Sequence, residues 1–208
     1  MAPKSRLLFI VFITVAALAG AGAALIWRTS AAPVDLTTGS YIHPNRALPE
    51  FSLIDHRGQA FGPANLRGHW SMMFFGYTNC PDFCPSTLTT LAALDKRLRT
   101  QAAVRPEVFF MSVDAQRDTP EQLARYVPNF DPEFVGLTAA NQPAIEAVAA
   151  KLGVSVILTP QPDGTYNVDH SGAIFVVNPE GKLAAILTGP FTVDNLEADL
   201  RRIVAGHA

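Results

Sequence analysis

The 208-residue chain contains only two cysteines, few charged residues and almost no net charge. Charged residues make up 16% of the chain, the formal net charge is −2, and no basic stripe of Lys or Arg is present. Nucleic acid is therefore excluded as a partner, because its binding needs a concentrated basic surface. The apolar fraction of 49% is high enough for a substantial core, which argues against wholesale disorder.

The scarcity of cysteine limits the roles that the pair can have. Cys80 and Cys84 lie four positions apart, so a disulfide between them closes too short a loop to stabilise the fold much. Without a third cysteine they are also a weak zinc set, since structural zinc takes four nitrogen or sulfur ligands. We therefore interpret the pair as chemical rather than structural.

The N-terminus has the pattern of a membrane anchor. Residues 1–6 are short and basic, and residues 7–27 form an uncharged apolar run. As a helix this run is about 31 Å long, close to the thickness of the bilayer core and longer than the apolar part of a secretory signal. Because Lys4 and Arg6 precede the run, we predict a single-pass anchor in the bacterial inner membrane, with a cytoplasmic N-terminus and a periplasmic domain. Whether the anchor is cleaved stays open.

The rest of the chain divides into a linker and one domain. Residues 28–48 contain prolines and glycine with little apolar periodicity, and we predict a linker there. In residues 49–208 strands alternate with helices, which predicts a three-layer α/β domain. The predicted strands are a hairpin over 51–61 and segments 70–76, 108–113, 134–137, 154–158, 173–177 and 183–187. The predicted helices cover about 85–100, 120–128, 145–152 and 193–204. A cysteine pair after a central strand and before a helix narrows the class to thioredoxin-like folds.

The two thiols lie in the predicted strand-to-helix loop, near the positive end of a helix dipole. We expect this setting to lower the pKa of the thiols, and a thiolate serves a nucleophile and a metal ligand equally well. Three residues separate Cys80 from Cys84, whereas thioredoxin-type reductants have two. The longer loop lets two sulfurs converge on one ion without forbidding a disulfide. Two soft thiolates with one imidazole suit Cu(I).

His170 is the histidine best placed to supply that imidazole. It lies in residues 166–172, which we interpret as the loop before the apolar strand starting at Ala173, and in thioredoxin-like folds that loop faces the cysteine loop. Asp169 or Ser171 could orient the ring by a hydrogen bond. The other histidines are interpreted as surface or partly buried side chains, namely His43, His56, His69 and His207. The predicted metal ligands are Cys80, Cys84 and His170.

Three segments resemble the Sco/SenC copper chaperones of cytochrome c oxidase assembly. Residues 76–85 resemble the family's cysteine motif, residues 112–120 its acidic segment and residues 168–171 its histidine loop. The likeness runs from about Leu48 to the C-terminus. Ala115 stands where the family usually has Pro and Asn79 where many members have His, but neither position is a ligand in the family.

The resemblance implies a function that the residues alone do not indicate. It implies that Cys80, Cys84 and His170 bind one copper ion per chain, as Cu(I) or Cu(II). It also implies an upstream copper donor, and a recipient that is the dinuclear copper site of cytochrome c oxidase subunit II. Asp114 and Asp118 have two possible interpretations. They either cap a helix or solvate a loop, or they take part in metal uptake or partner docking.

Two enzyme classes are the alternatives to a copper carrier. The first is a thiol–disulfide oxidoreductase that keeps the recipient's cysteines reduced, a role that an exposed cysteine pair of low pKa would serve. Against it, no X-Pro stands immediately before the strand starting at Ala173, where thioredoxins have the proline that binds substrate. A peroxiredoxin-like peroxidase normally has Thr three residues before the attacking cysteine, where Pro81 stands. Met72, Met73 and Met111 are interpreted as core side chains. Tyr77 and Phe83 flank the sulfurs and either limit water access or form a docking surface.

Overall fold

The computed structural model describes residues 12–14, 34–101 and 104–207. The chain divides into two compact units, Met1–Pro33 and Val34–Ala208. Only residues 12–14 of the first unit are described, and they are helical. No helix in the described part of the chain is long and apolar enough to cross a bilayer. The predicted cytoplasmic segment 1–6, and the predicted anchor 7–27 apart from those three residues, lie outside the described residues, so both stay predictions.

The second unit has a thioredoxin-like α/β fold, as predicted. Its strands are β1 (Gly39–Ala47), β2 (Leu53–Asp55), β3 (Ala60–Phe61), β4 (Ser71–Gly76), β5 (Glu107–Ser112), β6 (Val135–Thr138), β7 (Val156–Pro160), β8 (Tyr166–His170), β9 (Ile174–Val177) and β10 (Lys182–Leu187). Its helices are α1 (Phe83–Gln101), α2 (Pro120–Tyr126), α3 (Gln142–Leu152) and α4 (Val193–His207), with 3₁₀ turns at Pro63–Leu66 and Val127–Asn129.

The strand order of the main sheet places the cysteine loop near its middle. Eight strands are ordered β1-β10-β9-β4-β5-β6-β2-β3, while β7 and β8 form a separate two-stranded sheet. Strands β4, β5 and β6 are parallel, and β9 runs antiparallel to β4. Strand β4 therefore lies between β9 and β5, and its carboxyl end leads into the cysteine loop.

Alternate residues of β4 enter two separate core clusters. Met72 and Phe74 pack with apolar residues of α1 and α4, whereas Met73 and Phe75 pack with those of α3. Because successive side chains of a strand point to opposite faces, the helices cover both faces of the sheet. The continuous apolar run in the sequence thus forms a strand that is buried on both sides, as predicted.

Several helix ends follow local signals that the sequence contains. The Thr119 hydroxyl accepts the Gln122 N–H at 3.3 Å, and Pro120 is the first residue of α2. Helix α3 ends at Gly153, whose φ of 78° is left-handed and suits glycine. These caps confirm the predicted starts and ends to within a few residues.

Two predictions about the chain path are wrong. The predicted linker over residues 28–48 includes Gly39–Ala47, which forms the edge strand β1 and pairs antiparallel with β10. An edge strand tolerates Pro44 and leaves much of its side-chain surface exposed, so it carries little apolar periodicity. The predicted loop over residues 166–172 contains strand β8, in which only Val168 is buried, so it too lacked an apolar signal.

Candidate metal centre

A glycine at the end of β4 allows the second thiol to approach the sheet. A Cβ atom on Gly76 would lie 2.7 Å from Phe110 Cε2 and 2.9 Å from Cys84 Sγ, closer than side-chain atoms normally approach. Cys84 is the second residue of α1 and is fully buried. The sulfur therefore lies against the end of the strand, inside the cluster that contains the α1 leucines.

The two cysteines are free thiols in different environments. Cys80 is half-buried in the loop, and its Sγ accepts a hydrogen bond from the Cys84 N–H at 3.4 Å. Burial raises the pKa of the Cys84 thiol, and a hydrogen bond with the Tyr77 backbone offsets this only in part. The expectation of a lowered thiol pKa is therefore wrong for Cys84, because its sulfur faces the core rather than the solvent at the helix start.

His170 is the last residue of β8, and its ring points to the second thiol. Its Nε2 lies 3.8 Å from Cys84 Sγ, and its Nδ1 lies 3.2 Å from the carbonyl oxygen of Ser171. Since a carbonyl can only accept, a proton on Nδ1 completes that bond and leaves the Nε2 lone pair directed toward the sulfur. Burial lowers the pKa of His170, which favours the neutral imidazole that binds metals. The orienting group is thus the Ser171 backbone rather than its hydroxyl, which instead accepts the Ser155 N–H.

Two aromatic side chains border this contact. The Tyr77 ring meets the His170 ring edge-on, with centroids 5.7 Å apart. Phe83 is 45% exposed and covers Gly172, where an added Cβ would lie 2.5 Å from Phe83 Cε1. The glycine therefore lets the Phe83 ring lie directly over the turn that follows His170.

The acidic segment is built into the surroundings of the site. Asp118 is buried and accepts the Thr78 N–H at 2.9 Å, the Thr78 hydroxyl at 2.6 Å and the Ser112 hydroxyl at 2.6 Å. Burial raises the pKa of Asp118, although these hydrogen bonds act in the opposite direction. The carboxylate thus ties the start of the cysteine loop to the end of β5, which favours a local structural role over direct metal uptake.

Asp114 makes a second connection near the site, to Arg117 and Tyr166. The sequence predicted no role for either of these two residues. The buried carboxylate pairs with Arg117 and accepts the Tyr166 hydroxyl at 2.7 Å. The Arg117 guanidinium carbon lies 4.0 Å from the Tyr166 ring centroid and 5.7 Å from that of Tyr77. The three-residue spacing of Asp114 and Arg117 could have indicated their pairing, but no local signal marks the distant Tyr166.

The predicted ligands are brought together only in part. Cys84 contacts both Cys80 and His170, yet within the described residues no three His, Cys, Asp or Glu side chains are arranged to hold a metal ion jointly. Two thiols and a neutral imidazole nevertheless are the donors that copper takes. The other histidines have separate partners: His43 stacks on Tyr41, His56 accepts the Gly136 N–H, His69 lies 3.5 Å from Glu107 and His207 lies 2.9 Å from Glu180.

Fold and site together define a class of protein. A thioredoxin-like domain places two free cysteines after its central parallel strand and an imidazole against the second of them. Proteins of this class use a thiol pair for metal binding or for redox exchange.

The chain belongs to the SCO1/SenC family, which it matches over residues 40–205. It is 34% identical over 157 residues to the human mitochondrial protein SCO2 homolog; that match covers 75% of this chain and 59% of the relative, so it leaves two fifths of the relative unmatched. The structure of Arabidopsis thaliana ScoI with copper bound is 34% identical, with a TM-score of 0.71, covering 76% of this chain and 97% of that one. The structure of Bradyrhizobium japonicum ScoI with copper bound is 30% identical, with a TM-score of 0.64, covering 76% and 99%. This match confirms the family that the three sequence segments predicted.

Proposed function

We propose that this chain is a copper metallochaperone that holds one copper ion through Cys80, Cys84 and His170. The observation that carries the proposal is the 3.8 Å contact between Cys84 Sγ and His170 Nε2, with Cys80 beside them in a half-buried loop. Copper-bound structures of two relatives support copper as the ion. Copper is cargo here, bound and later released, and not a resident cofactor.

The chemistry of the three donors suits a transferable ion. Soft thiolates and a neutral imidazole favour Cu(I), which accepts low coordination numbers. Cys80 is the more accessible sulfur, so it is the ligand that a recipient's thiols reach first during transfer.

The recipient in this proposal is the dinuclear copper site of cytochrome c oxidase subunit II, loaded after an upstream donor has supplied the ion. Membership of the SCO1/SenC family supports this recipient. The apolar run over residues 7–27 supports attachment to the bacterial inner membrane, with the domain in the periplasm. Such an anchor keeps the carrier close to a membrane-bound recipient.

A thiol–disulfide oxidoreductase is the second candidate, and the free, adjacent thiols of Cys80 and Cys84 favour it. In that reaction the pair gives two electrons and two protons to a disulfide of the recipient, which becomes two thiols, while Cys80 and Cys84 form a disulfide. The residue before β9 is Ala173, so the proline that thioredoxins use to bind substrate is missing there.

The two candidates are separated by measuring copper stoichiometry. The full chain, purified in mild detergent and reduced, is loaded anaerobically with Cu(I) in competition with a chelator. We expect one tightly held copper per chain, and its transfer to a reduced fragment of the recipient that carries the dinuclear site. Absence of copper above background, together with ready cycling between dithiol and disulfide, would reject the carrier in favour of the oxidoreductase.

A further inference from the structure

The predicted ligand His170 lies on a β-hairpin that is separate from the main sheet. Among the described strands, β7 and β8 pair with each other and with no strand of the main sheet, and His170 is the last residue of β8. Apolar side chains on the inner side of the hairpin, Val156, Leu158 and Val168, pack on the core cluster next to α3. Such contacts are non-directional, so a directional contact adds to what they contribute to the position of the hairpin.

Arg117 lies between the hairpin and the cysteine loop. Its guanidinium carbon is 4.0 Å from the ring centroid of Tyr166, on β8, and 5.7 Å from that of Tyr77, in the cysteine loop. The Nη1 atom also donates to the Tyr166 carbonyl oxygen at 3.3 Å. A planar cation between two aromatic rings is attracted to both, and the attraction depends on the orientation of the plane.

Arg117 is itself held by a buried carboxylate. Asp114 is fully buried, pairs with the Arg117 Nε, and accepts the Tyr166 hydroxyl at 2.7 Å through its other oxygen. The remaining Arg117 Nη2 atom is buried and has no hydrogen-bond acceptor among the described residues. A fully buried carboxylate thus fixes the position of this partly exposed guanidinium.

We propose that Arg117 is a positioning residue that fixes the hairpin against the cysteine loop and so keeps His170 within reach of the two sulfurs. The connection runs from Arg117 to Tyr77, whose ring meets the His170 ring, and from Arg117 to Tyr166, four residues before His170 on the same strand. The role in copper binding rests on the function proposed above, whereas the role in placing the imidazole does not.

The first test is a double-mutant cycle on copper affinity with the full chain in detergent. Arg117→Met removes the charge and the planar stack while keeping the length of the side chain. We expect copper binding to weaken about 10- to 100-fold, the range for groups that orient a ligand. In the His170→Ala background the same substitution should have no further effect, because Arg117 acts only through that ligand. Arg125→Met, an exposed position on α2, is the matched control and should bind copper like the parent chain.

The second test needs no copper. In the reduced, metal-free chain, nuclear Overhauser contacts between the ring protons of Tyr77 and His170 should be present in the parent chain and in Arg125→Met. They should be lost or strongly reduced in Arg117→Met. If that variant does not fold, Arg117→Lys replaces it, because it keeps the charge but cannot present a flat face to both rings, and we expect the same losses.

The outcomes separate the two proposals. Unchanged ring contacts in the folded Arg117 variant would overturn the positioning role, as would a loss of copper affinity that adds fully to that of His170→Ala. Absence of copper binding in the parent chain would reject the carrier function alone, and the ring contacts would then decide the role of Arg117.

Discussion

Cys84 Sγ and His170 Nε2 lie 3.8 Å apart, although 86 positions separate the two residues in the chain. The contact joins the first turn of α1 to the end of β8. A soft sulfur and an imidazole, two of the donors in the proposed copper site, are thus brought side by side by the fold. Cys80, the third donor in the proposed site, lies beside this pair, and its Sγ accepts the Cys84 N–H at 3.4 Å.

The ligand set predicts the effects of four substitutions on copper affinity. Cys80→Ser, Cys84→Ser and His170→Ala should each weaken Cu(I) binding by more than about tenfold, which corresponds to about 1.4 kcal/mol. His69→Ala should not, because that ring lies 3.5 Å from Glu107 rather than at the cysteine loop. Chelator competition measures the affinities, and unchanged copper retention in the His170 variant would refute three-ligand binding.

The unequal burial of the thiols predicts unequal alkylation. In the reduced, metal-free chain, Cys80 should react with iodoacetamide at least about tenfold faster than Cys84, since attack needs an accessible thiolate. Cys84 is fully buried, and burial raises the pKa of its thiol. The rates are measured by mass spectrometry on Cys84→Ser and Cys80→Ser, each of which retains one thiol. The difference should disappear in concentrated urea; equal rates in the folded chain would contradict the buried position.

The close approach at the end of β4 predicts that Gly76→Ala is destabilising. The new methyl group would overlap Phe110 and Cys84, both fully buried, so we expect a loss of about 1–3 kcal/mol in the free energy of unfolding. Urea denaturation measures the loss. Gly62→Ala is the comparison variant and should lose less stability, because its added Cβ would make one tight contact, with the Phe51 carbonyl oxygen at 3.2 Å, and none below 3.0 Å. If Gly76→Ala is as stable as the parent chain, the strand end has room to relax.

The hydrogen bonds of the Asp199 carboxylate predict that its contribution to the free energy of unfolding depends on pH. Asp199 is fully buried and accepts the Thr37 and Thr38 N–H groups, both at 2.8 Å, and the Thr38 hydroxyl at 2.7 Å, just before β1. Burial alone would raise the pKa of Asp199, but these hydrogen bonds outweigh it and the net shift is downward. A carboxyl whose folded pKa lies below its unfolded value of about 3.9 stabilises the fold above that pH, and the gain is lost as the pH falls through the folded pKa.

Asp199→Asn should therefore lower the free energy of unfolding by about 1–3 kcal/mol at pH 7, and by less at pH 3. Urea denaturation at the two pH values measures the difference, with the exposed Asp35→Asn as control. Hydrogen exchange should show earlier opening of β1 in the Asp199 variant. A deficit that stays constant from pH 7 to pH 3 would exclude a role for the ionised carboxylate.

Local sequence patterns predict a helix or strand correctly where its formation depends on residues that are neighbours in the chain. The apolar run of β4 has both faces covered, and Thr119 with Pro120 starts α2 as predicted. Strands β1 and β8 were not recognised because most of their side chains are exposed or half-buried. Their pairing partners, β10 and β7, are what make them strands.

The sequence by itself determined the class of the domain, the position of the cysteine loop between a strand and a helix, and the family to which the chain belongs. Only the tertiary structure decided that Cys84 is the buried thiol, that the Ser171 backbone orients His170, and that Arg117 lies between Tyr77 and Tyr166. Burial, and contacts between groups tens of residues apart, arise when strands and helices pack. Sequence periodicity reports which face of an element is buried, but not what that face meets.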